Sequence, residues 1–528
     1  MKHTYLFAYF VACTATFYSL SDFFCDPLEP LLRGRSFLSP RSQNTELARS
    51  MVGIQRFMNN PDNCFHSYLS ATGQYGRSFR AYRIAEYFFG TDALVISGSQ
   101  VASRDRADIL ADYFGLSPTF SSTVQLDPQL RTGLIDFNGY VQYGFWFGKF
   151  SMPLVWTTSR FILREQASVE GADTPFPALY MDNDTVEPAA ESFTRAIQGG
   201  LAFGQVQPRE FSNIVPCQER HGLADVHLQA GYNFIQDDLC HIGLSGILVI
   251  PTGNRSQARF LLEPMIGNGH HYEVGIGFWG HWVVWEKDVD QQIAIYLDAN
   301  LTHLFASTQR RSFDFGKQDF IFDNLKFASR YILVKEFDET GTYTGTTLPA
   351  ANITTLPAKS DYGAEIDAVI MAAYHSCHWS FDIGYNAWAR SKEHLCLCGS
   401  IPKRRYGLKG IQNVAGADSI TTQSEATIFG NPFSDQALVA DNPSPVFVST
   451  ADINIDSAAA PSAFTHQLFW HTSWTLYDGN FRFIQGTPFI GFGGFLEFEG
   501  LNPRKLIQSN NNTISQWGIW IKSGFSFN

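Results

Sequence analysis

One histidine and two cysteines, which are residue types that can bind a metal, stand close together in the sequence. His394, Cys396 and Cys398 stand two residues apart, and imidazole and thiolate are ligands that zinc prefers. A structural zinc site needs four ligands, however, and no second ligand pair follows at the usual spacing. A disulfide or free thiols in a loop is the simpler interpretation. We therefore expect no metal site and no cofactor.

The residue types of a hydrolase are also present. Ser159, Asp225, His227 and His281 include a nucleophile, a base and an orienting acid. Polar residues recur at every second position along the predicted strands, so such residue types arise without catalysis. Gly491, Gly493 and Gly494 lie in a strand pattern with no following helix, which indicates close strand packing and not a phosphate loop. We expect no enzymatic activity.

A long β-hairpin between Tyr272 and Phe305 is the element that organises these side chains. Side chains alternate between the two faces of a strand, and each arm has one apolar and one mixed polar face. The apolar face carries Tyr272, Val274, Ile276, Phe278, Trp282, Val284, Ile293, Ile295, Leu297 and Leu301. Each arm is longer than a typical strand of about 5 to 6 residues. It is long enough for a tilted membrane strand, which needs roughly 9 to 11 residues.

The same pattern recurs along the chain. Five short turns join ten strands, and the turns are predicted at 147–149, 236–238, 286–288, 375–378 and 477–480. A first strand within 82–99 and a last strand ending at Phe527 bring the count to twelve, an even number as bacterial single-chain barrels require. If Phe327 to Phe337 and one more segment are strands, the count becomes fourteen. Long segments between the hairpins are predicted to lie together on the opposite side from the short turns.

Composition supports this prediction and excludes others. Aromatic residues make up 15% of the 528 residues, which suits membrane strands with aromatic girdles. The net charge of −12 leaves no basic face for phosphates, so no nucleic acid is expected as a partner. The sequence contains no run of about 18 apolar residues, so it does not predict a membrane-spanning helix.

The chain divides into three predicted parts. Residues 1–21 have the charge, the apolar core and the small-residue end of a signal peptide. Residues 22–81 have several prolines and no sustained period, and form an irregular N-terminal segment that could plug a barrel. Residues 82–528 carry the strand pattern and are assigned to the barrel.

The last strand adds a resemblance to a known class. Trp517, Ile519, Ile521, Phe525 and Phe527 share one face near the C-terminus. In this respect the chain resembles the porin-like bacterial outer-membrane β-barrel proteins, whose final strand ends in an aromatic residue read by the barrel-assembly machinery. The aromatic residue is normally the last one in that family, whereas here Asn528 follows Phe527. The resemblance implies an all-β, transmembrane antiparallel β-barrel in the outer membrane of a Gram-negative bacterium, with membrane lipid around it, short periplasmic turns and long extracellular loops.

A porin-like channel for small polar solutes is the function that this fold suggests. The residues predicted to line the pore are Asp136, Asp225, Gln229, Asn233, Glu273, Gln292, Asp298, Asn300, Asp367, Asp382, Arg482 and Lys522. Acids outnumber bases among them, which favours cations in a narrow lumen.

Three alternatives remain open from the sequence. N-terminal arginines such as Arg77, Arg80 and Arg83 could fold into the barrel, pair with the acids and close it. The chain could instead be a plugged transporter for hydrophobic ligands, since Ser70-Ala71-Thr72-Gly73 resembles the hatch of outer-membrane fatty-acid transporters, although their Asn-Pro-Ala element is absent. It could also be a structural or adhesive surface protein.

Overall fold

A closed antiparallel β-barrel of twelve strands is the main body of the computed structural model. The structure describes residues 34–44, 46–54, 65–104, 108–169, 174–178, 180–288, 291–316, 329–409, 447–476, 480–481, 484–500 and 513–527. The predicted signal peptide, 1–21, lies outside these residues.

The twelve barrel strands follow one another around the wall. They are β1 (Phe65–Ser78), β2 (Ser121–Tyr143), β3 (Trp146–Val169), β4 (Val226–Gln236), β5 (Cys240–Ile250), β6 (Glu273–Asp288), β7 (Gln291–Ser312), β8 (Thr355–Ser376), β9 (Trp379–Arg390), β10 (Ala463–Thr475), β11 (Thr487–Glu499) and β12 (Gln516–Phe527). Each strand pairs with its sequence neighbours, and β1 pairs with β12 to close the barrel, with Ser67 opposite Phe527. Closure leaves no open edge, so every strand is hydrogen-bonded on both sides.

Two aromatic belts border an apolar outer surface. Phe65 and Tyr75, Trp146 and Trp156, and Tyr272 and Trp282 are pairs of exposed aromatic residues, each pair ten residues apart on one strand or at its end. Ten residues at roughly 3.4 Å each, on strands tilted by about 40°, span about 26 Å. This matches the apolar band of an outer-membrane-type barrel, which is about 25 Å tall.

The two ends of the barrel differ. Short turns join the strands at one end, for example Gly144 to Phe145 and Cys377 to His378. The long connections at the other end fold into a cap with its own hydrophobic core, which includes Phe88, Phe114 and Leu333. Its strands are Ala93–Ser97, Ile109–Leu110, Cys217–Leu223, Asp314–Phe315, Leu333–Phe337, Tyr343–Pro349, Glu393–Leu397, Tyr406–Leu408, Phe447–Val448 and Ile453–Asn454. We refer to these two ends as the turn end and the loop end.

Helices are short and few in the described part of the chain. The α-helices are Leu47–Met51, Ala81–Phe89, Phe193–Ala196 and Ala351–Thr354, and the 3₁₀ helices are Ala111–Phe114, Ser329–Tyr331, Thr450–Asp452 and Ile455–Ser457. None of the helices among the described residues is long and apolar enough to cross a membrane. Asn480–Phe481 and Ile484–Gln485 form a small hairpin beside the turn end.

The predicted fold class is confirmed, but the first strand was assigned to the wrong residues. Residues 82–99 hold a helix and the cap strand Ala93–Ser97, while the first barrel strand is Phe65–Ser78, inside the segment predicted to be irregular. Ala71 and Gly73 lie on the outer face of β1 and weaken its apolar signal. Ile84, Ala85, Phe88 and Phe89 are buried with helical spacing.

Two further details differ from the prediction. The turn predicted at 147–149 lies at Gly144 and Phe145, because Gly144 adopts a positive φ of 56° and β3 begins at Trp146. The segment from Phe327 to Phe337 does contain a strand, Leu333–Phe337, but that strand pairs with Tyr343–Pro349 and Tyr406–Leu408 in the cap. The barrel count therefore stays at twelve and not fourteen.

Candidate functional site

The inner face of the barrel carries buried polar side chains. Ten of the residues predicted to line a pore are buried, namely Asp136, Asp225, Gln229, Asn233, Glu273, Asp298, Asn300, Asp367, Asp382 and Lys522. Gln292 is half-buried on the same phase of β7. Arg482 lies outside the described residues. The wall is thus polar inside, yet its polar groups do not face open solvent.

Two of these acids brace a loop. Asp225 accepts hydrogen bonds from the backbone N–H groups of Thr252 and Gly253 at 3.1 Å and of Asn268 at 2.7 Å. Glu273 accepts from the Asn268 side chain at 2.7 Å and from the Thr302 hydroxyl at 3.0 Å. These hydrogen bonds fix the connection between β5 and β6 at the loop end of the barrel.

The lumen is occupied by residues 34–44 and 46–54, which we call the luminal segment. At the loop end, the Arg35 N–H donates to the carbonyl of Tyr87 at 3.0 Å, and the Tyr87 hydroxyl donates to the Phe37 carbonyl at 2.6 Å. Burial raises the pKa of the Tyr87 phenol, so this hydroxyl remains a donor. The luminal segment is therefore fixed to the cap where it enters the barrel.

Arg41 fixes the middle of the luminal segment to the wall. Its guanidinium donates to Asp367 Oδ2 at 2.8 Å and to Asn386 Oδ1 at 2.7 Å, and lies 3.5 Å from Glu497 Oε1. Asp367 also accepts from the backbone N–H of Leu47 at 3.1 Å. One guanidinium thus joins the luminal segment to strands β8, β9 and β11.

Arg49 makes the second cluster of contacts, on the opposite strands. Its Nε donates to Asp136 Oδ2 at 2.9 Å, and its Nη1 donates to Glu46 Oε2 at 2.8 Å and to Gln74 Oε1 at 3.2 Å. The Arg49 side chain is only 1% exposed. Removing one partner of such a buried pair is strongly destabilising, because the other charge stays buried without compensation.

The end of the helix Leu47–Met51 is held by two wall residues. Lys522 Nζ donates to the carbonyls of Arg49 at 3.0 Å and Ser50 at 2.8 Å, which satisfies two carbonyls at the helix C-terminus. The backbone N–H of Gly53 donates to Asp382 at 3.0 Å. Gly53 has a φ of 75°, and a Cβ there would lie 2.7 Å from the His471 ring, so glycine is required.

Apolar residues of the luminal segment also pack against the inner wall and help to fill the lumen. Leu47, Ala48, Met51 and Val52 share one buried cluster with wall residues of six strands, namely Val283, Ala294, Tyr296, Val369, Met371, Ala373, Phe469, Phe495 and Trp520. Ile54 packs among aromatic residues near the turn end, including Tyr68, Tyr140 and Trp279. The luminal segment therefore spans the barrel from the loop end to the turn end.

Small cavities border the luminal segment, and two of them lie along its length inside the barrel. One, of about 70 Å³, lies toward the loop end between Arg41, Leu130 and Ile514. The other, of about 50 Å³, lies toward the turn end between Ser50, Tyr68 and Asp298. Glu46 borders both of them. Each is large enough for several water molecules.

The residue types of a hydrolase are not assembled into a catalytic group. The Ser159 hydroxyl donates to the carbonyl of Leu262 at 2.6 Å, Asp225 accepts from backbone amides, and His281 contacts His241. Cys396 and Cys398 are exposed free cysteines in the cap. No group of three or more His, Cys, Asp and Glu side chains suited to a metal occurs in the described part of the chain.

The arginines that enter the lumen are not those named from the sequence. Arg77 donates to Gln129 at 3.2 Å, while Arg80 and Arg83 lie 3.9 and 3.5 Å from Glu499 at the loop end. Arg41 and Arg49 perform the pairing inside the barrel instead. In the sequence, Arg41 and Arg49 lie in a segment without strand pattern, and the strands that follow carry many acids on their inner faces. This combination is the signal that could have identified the two arginines.

The closed sheet, its apolar outer face and its polar interior define a β-barrel of the outer-membrane type. No protein-family model matches the chain, and no curated protein matches its sequence. Alignments with three solved structures cover most of this chain and of theirs, at low TM-scores and low identity.

An outer membrane channel from Pseudomonas putida F1 has a TM-score of 0.33 and 10% identity, with 87% of this chain and 96% of that chain covered. A FadL homologue from Pseudomonas aeruginosa has a TM-score of 0.29 and 8% identity, covering 93% and 99%. The toluene transporter TodX from Pseudomonas putida has a TM-score of 0.24 and 7% identity, covering 94% and 96%.

Proposed function

We propose that this chain forms a channel for small polar solutes in the bacterial outer membrane, closed in the present state by the luminal segment. The pairing of Arg41 and Arg49 with wall acids is the observation that carries the proposal, because it gives the barrel interior a removable polar occupant. The barrel supplies a lipid-compatible exterior and a polar interior, which a transmembrane channel for polar solutes requires.

Opening requires the luminal segment to leave its wall contacts. Its contacts combine apolar packing with hydrogen bonds and ion pairs to wall side chains, and it forms no strand pairing with the wall among the described residues. Such a segment can exchange its polar partners for water, whereas a wall strand cannot. Displacement would join the two small cavities, since Glu46 borders both of them.

Replacing Arg49 with Ala should make openings more frequent. Asp136 would remain buried with Ser151 as its donor at 2.9 Å and without its cation. Breaking a buried pair costs about 3 kcal/mol, so we expect roughly a hundredfold rise in the open fraction. Single-channel recording in planar bilayers measures it.

Arg164→Ala is the matched control for that experiment. Arg164 pairs with Asp127 at 3.1 Å but is 70% exposed, and such surface pairs contribute about 0 to 1 kcal/mol. Equal open fractions in the Arg49→Ala and Arg164→Ala proteins would contradict a latch at Arg49.

The open channel should prefer cations. Displacing the luminal segment removes Arg41 and Arg49 and leaves Asp136, Asp367 and Glu497 on the wall. An excess of acids attracts cations, and added salt screens the effect. Reversal potentials under a salt gradient should show cation preference that weakens with salt and decreases in Asp136→Asn. Anion preference would contradict the charge argument.

Transport of hydrophobic ligands is a second candidate. An apolar hollow of about 470 Å³ lies on the wall between β2 and β6, bordered by Val141, Phe150, Leu228, Leu248 and Val274. Glycines 139, 148, 246 and 275 make the wall thin there. Lipid retained at this hollow after purification, together with no ion conductance in any variant, would favour this candidate over the polar channel.

A further inference from the structure

The cavity toward the turn end lies between the luminal segment and the inner wall. Its volume is about 50 Å³, and one buried water molecule needs roughly 10 to 15 Å³. The cavity therefore has room for about three to five water molecules, or for one solute of about four non-hydrogen atoms. Leu47, Met51, Ile54 and Phe150 contribute apolar surface to its lining.

Four side chains that line this cavity each have a polar atom without a hydrogen-bond partner among the described residues. They are the Nδ2 donors of Asn44 and Asn138 and the Oδ1 acceptors of Asp298 and Asn300. All four side chains belong to residues that are only 4% to 8% exposed. Buried polar atoms normally have partners, so these atoms favour a polar molecule in the cavity.

The neighbouring contacts determine which atoms remain available. Asn44 Oδ1 accepts from the Ser42 hydroxyl, which leaves the Asn44 Nδ2. Asp298 Oδ2 accepts from Lys149 at 3.4 Å, which leaves Asp298 Oδ1 and already pairs the carboxylate with a cation. The available atoms are thus two donors and two acceptors, and the ion pair favours an uncharged ligand over a charged one.

The donors and the acceptors come from different elements. Asn44 belongs to the luminal segment and Asn138 to β2, whereas Asp298 and Asn300 stand two residues apart on β7. Residues two apart on a strand share a face, so both acceptors are on the inner face of β7. A ligand that uses all four atoms needs an acceptor group and a donor group within one small molecule.

We propose that this cavity binds a small primary amide, which is the class of polar solute that the channel would carry. A primary amide has a carbonyl oxygen with two lone pairs and an amino group with two N–H donors. The carbonyl would accept from Asn44 and Asn138, and the amino group would donate to Asp298 and Asn300. A carboxylate of the same shape has no donor and would place a second negative charge beside Asp298. The assignment of this solute class rests on the proposed channel function.

Equilibrium dialysis of radiolabelled acetamide against the purified full-length protein in detergent tests this site. Protein-free detergent corrects for partitioning, and excess unlabelled acetamide defines specific binding. We expect about one bound acetamide per chain, displaced by unlabelled acetamide. Unlabelled acetate, which has the same arrangement of non-hydrogen atoms, should displace it at least tenfold less well. Folded protein that binds no acetamide, as expected for a cavity that holds only water, would overturn the proposal, and so would equal displacement by acetate.

Asn138→Leu and Asn300→Leu remove one donor and one acceptor with little change in side-chain size. Loss of one hydrogen bond should weaken acetamide binding roughly tenfold in each variant. Gln292→Leu is the matched control, because Gln292 lies on the inner phase of β7 but does not line the cavity, and its acetamide binding should equal that of the parent. Heat-dependent gel mobility verifies folding, and Asn138→Asp provides a second variant if leucine prevents it. Parental affinity in the folded Asn138 and Asn300 variants contradicts the site.

The dialysis experiment separates this site from the proposed channel. It uses the closed full-length protein and needs no ion current. Acetamide binding that depends on Asn138 and Asn300, in a protein that never conducts, would support the site and contradict the channel. Conduction by a protein that binds no acetamide would contradict the site alone.

Discussion

Deleting residues 34–54 should convert a closed barrel into a conducting one. The deletion removes Arg41, Arg49 and the helix Leu47–Met51 but retains all twelve wall strands, because β1 begins at Phe65. The polar wall groups would then bind water in place of the luminal segment. We expect the full chain to be closed for most of a recording and the deletion variant to conduct continuously in planar bilayers.

A synthetic peptide of residues 34–54 provides the control for this deletion. Added to the open variant, it should restore closure, because it carries the same contacts to Asp367 and Asp136. The same peptide with Arg41→Ala and Arg49→Ala should block poorly. A folded deletion variant that stays closed would place the barrier in the loop-end cap and contradict the role given to the luminal segment.

Most of the wall could be predicted from the sequence, because alternating apolar and polar residues identify the two faces of a strand. In β6 and β7, the alternation of apolar and polar residues matches the observed alternation of exposed and buried residues. β1 was not predicted, because this alternation is weak along it. Its outer face includes Ala71 and Gly73, so pairing with β2 and β12, and not apolar periodicity, makes it a strand.

The luminal segment could not be predicted from local pattern. Its helix has five residues, too few to be stable alone, and is held by partners far away in sequence. Arg49 pairs with Asp136 on β2, and Leu47 with Asp367 on β8. Only the closed barrel brings these acids close together. The acids of the wall could therefore suggest that a positively charged segment lies in the lumen, but they could not identify its residues.

A charge on the outer face should destabilise the barrel far more than the same charge on the inner phase. Ile276 is 62% exposed and lies on β6 between the aromatic residues Tyr272 and Trp282, within the apolar band. Arg at mid-membrane costs about 2 to 4 kcal/mol, so Ile276→Arg should lower the folding equilibrium constant in lipid vesicles roughly thirtyfold to a thousandfold.

Gln292→Arg is the matched change on the inner phase of β7. Gln292 is half-buried near the turn end, opposite His375 of β8, where an arginine can extend toward water. Ile295→Arg, on the outer phase of the same strand, should behave like Ile276→Arg. Urea titration of vesicle-inserted protein measures all three. Equal unfolding free energies for Ile276→Arg and Gln292→Arg would show that the outer face does not contact lipid at this depth.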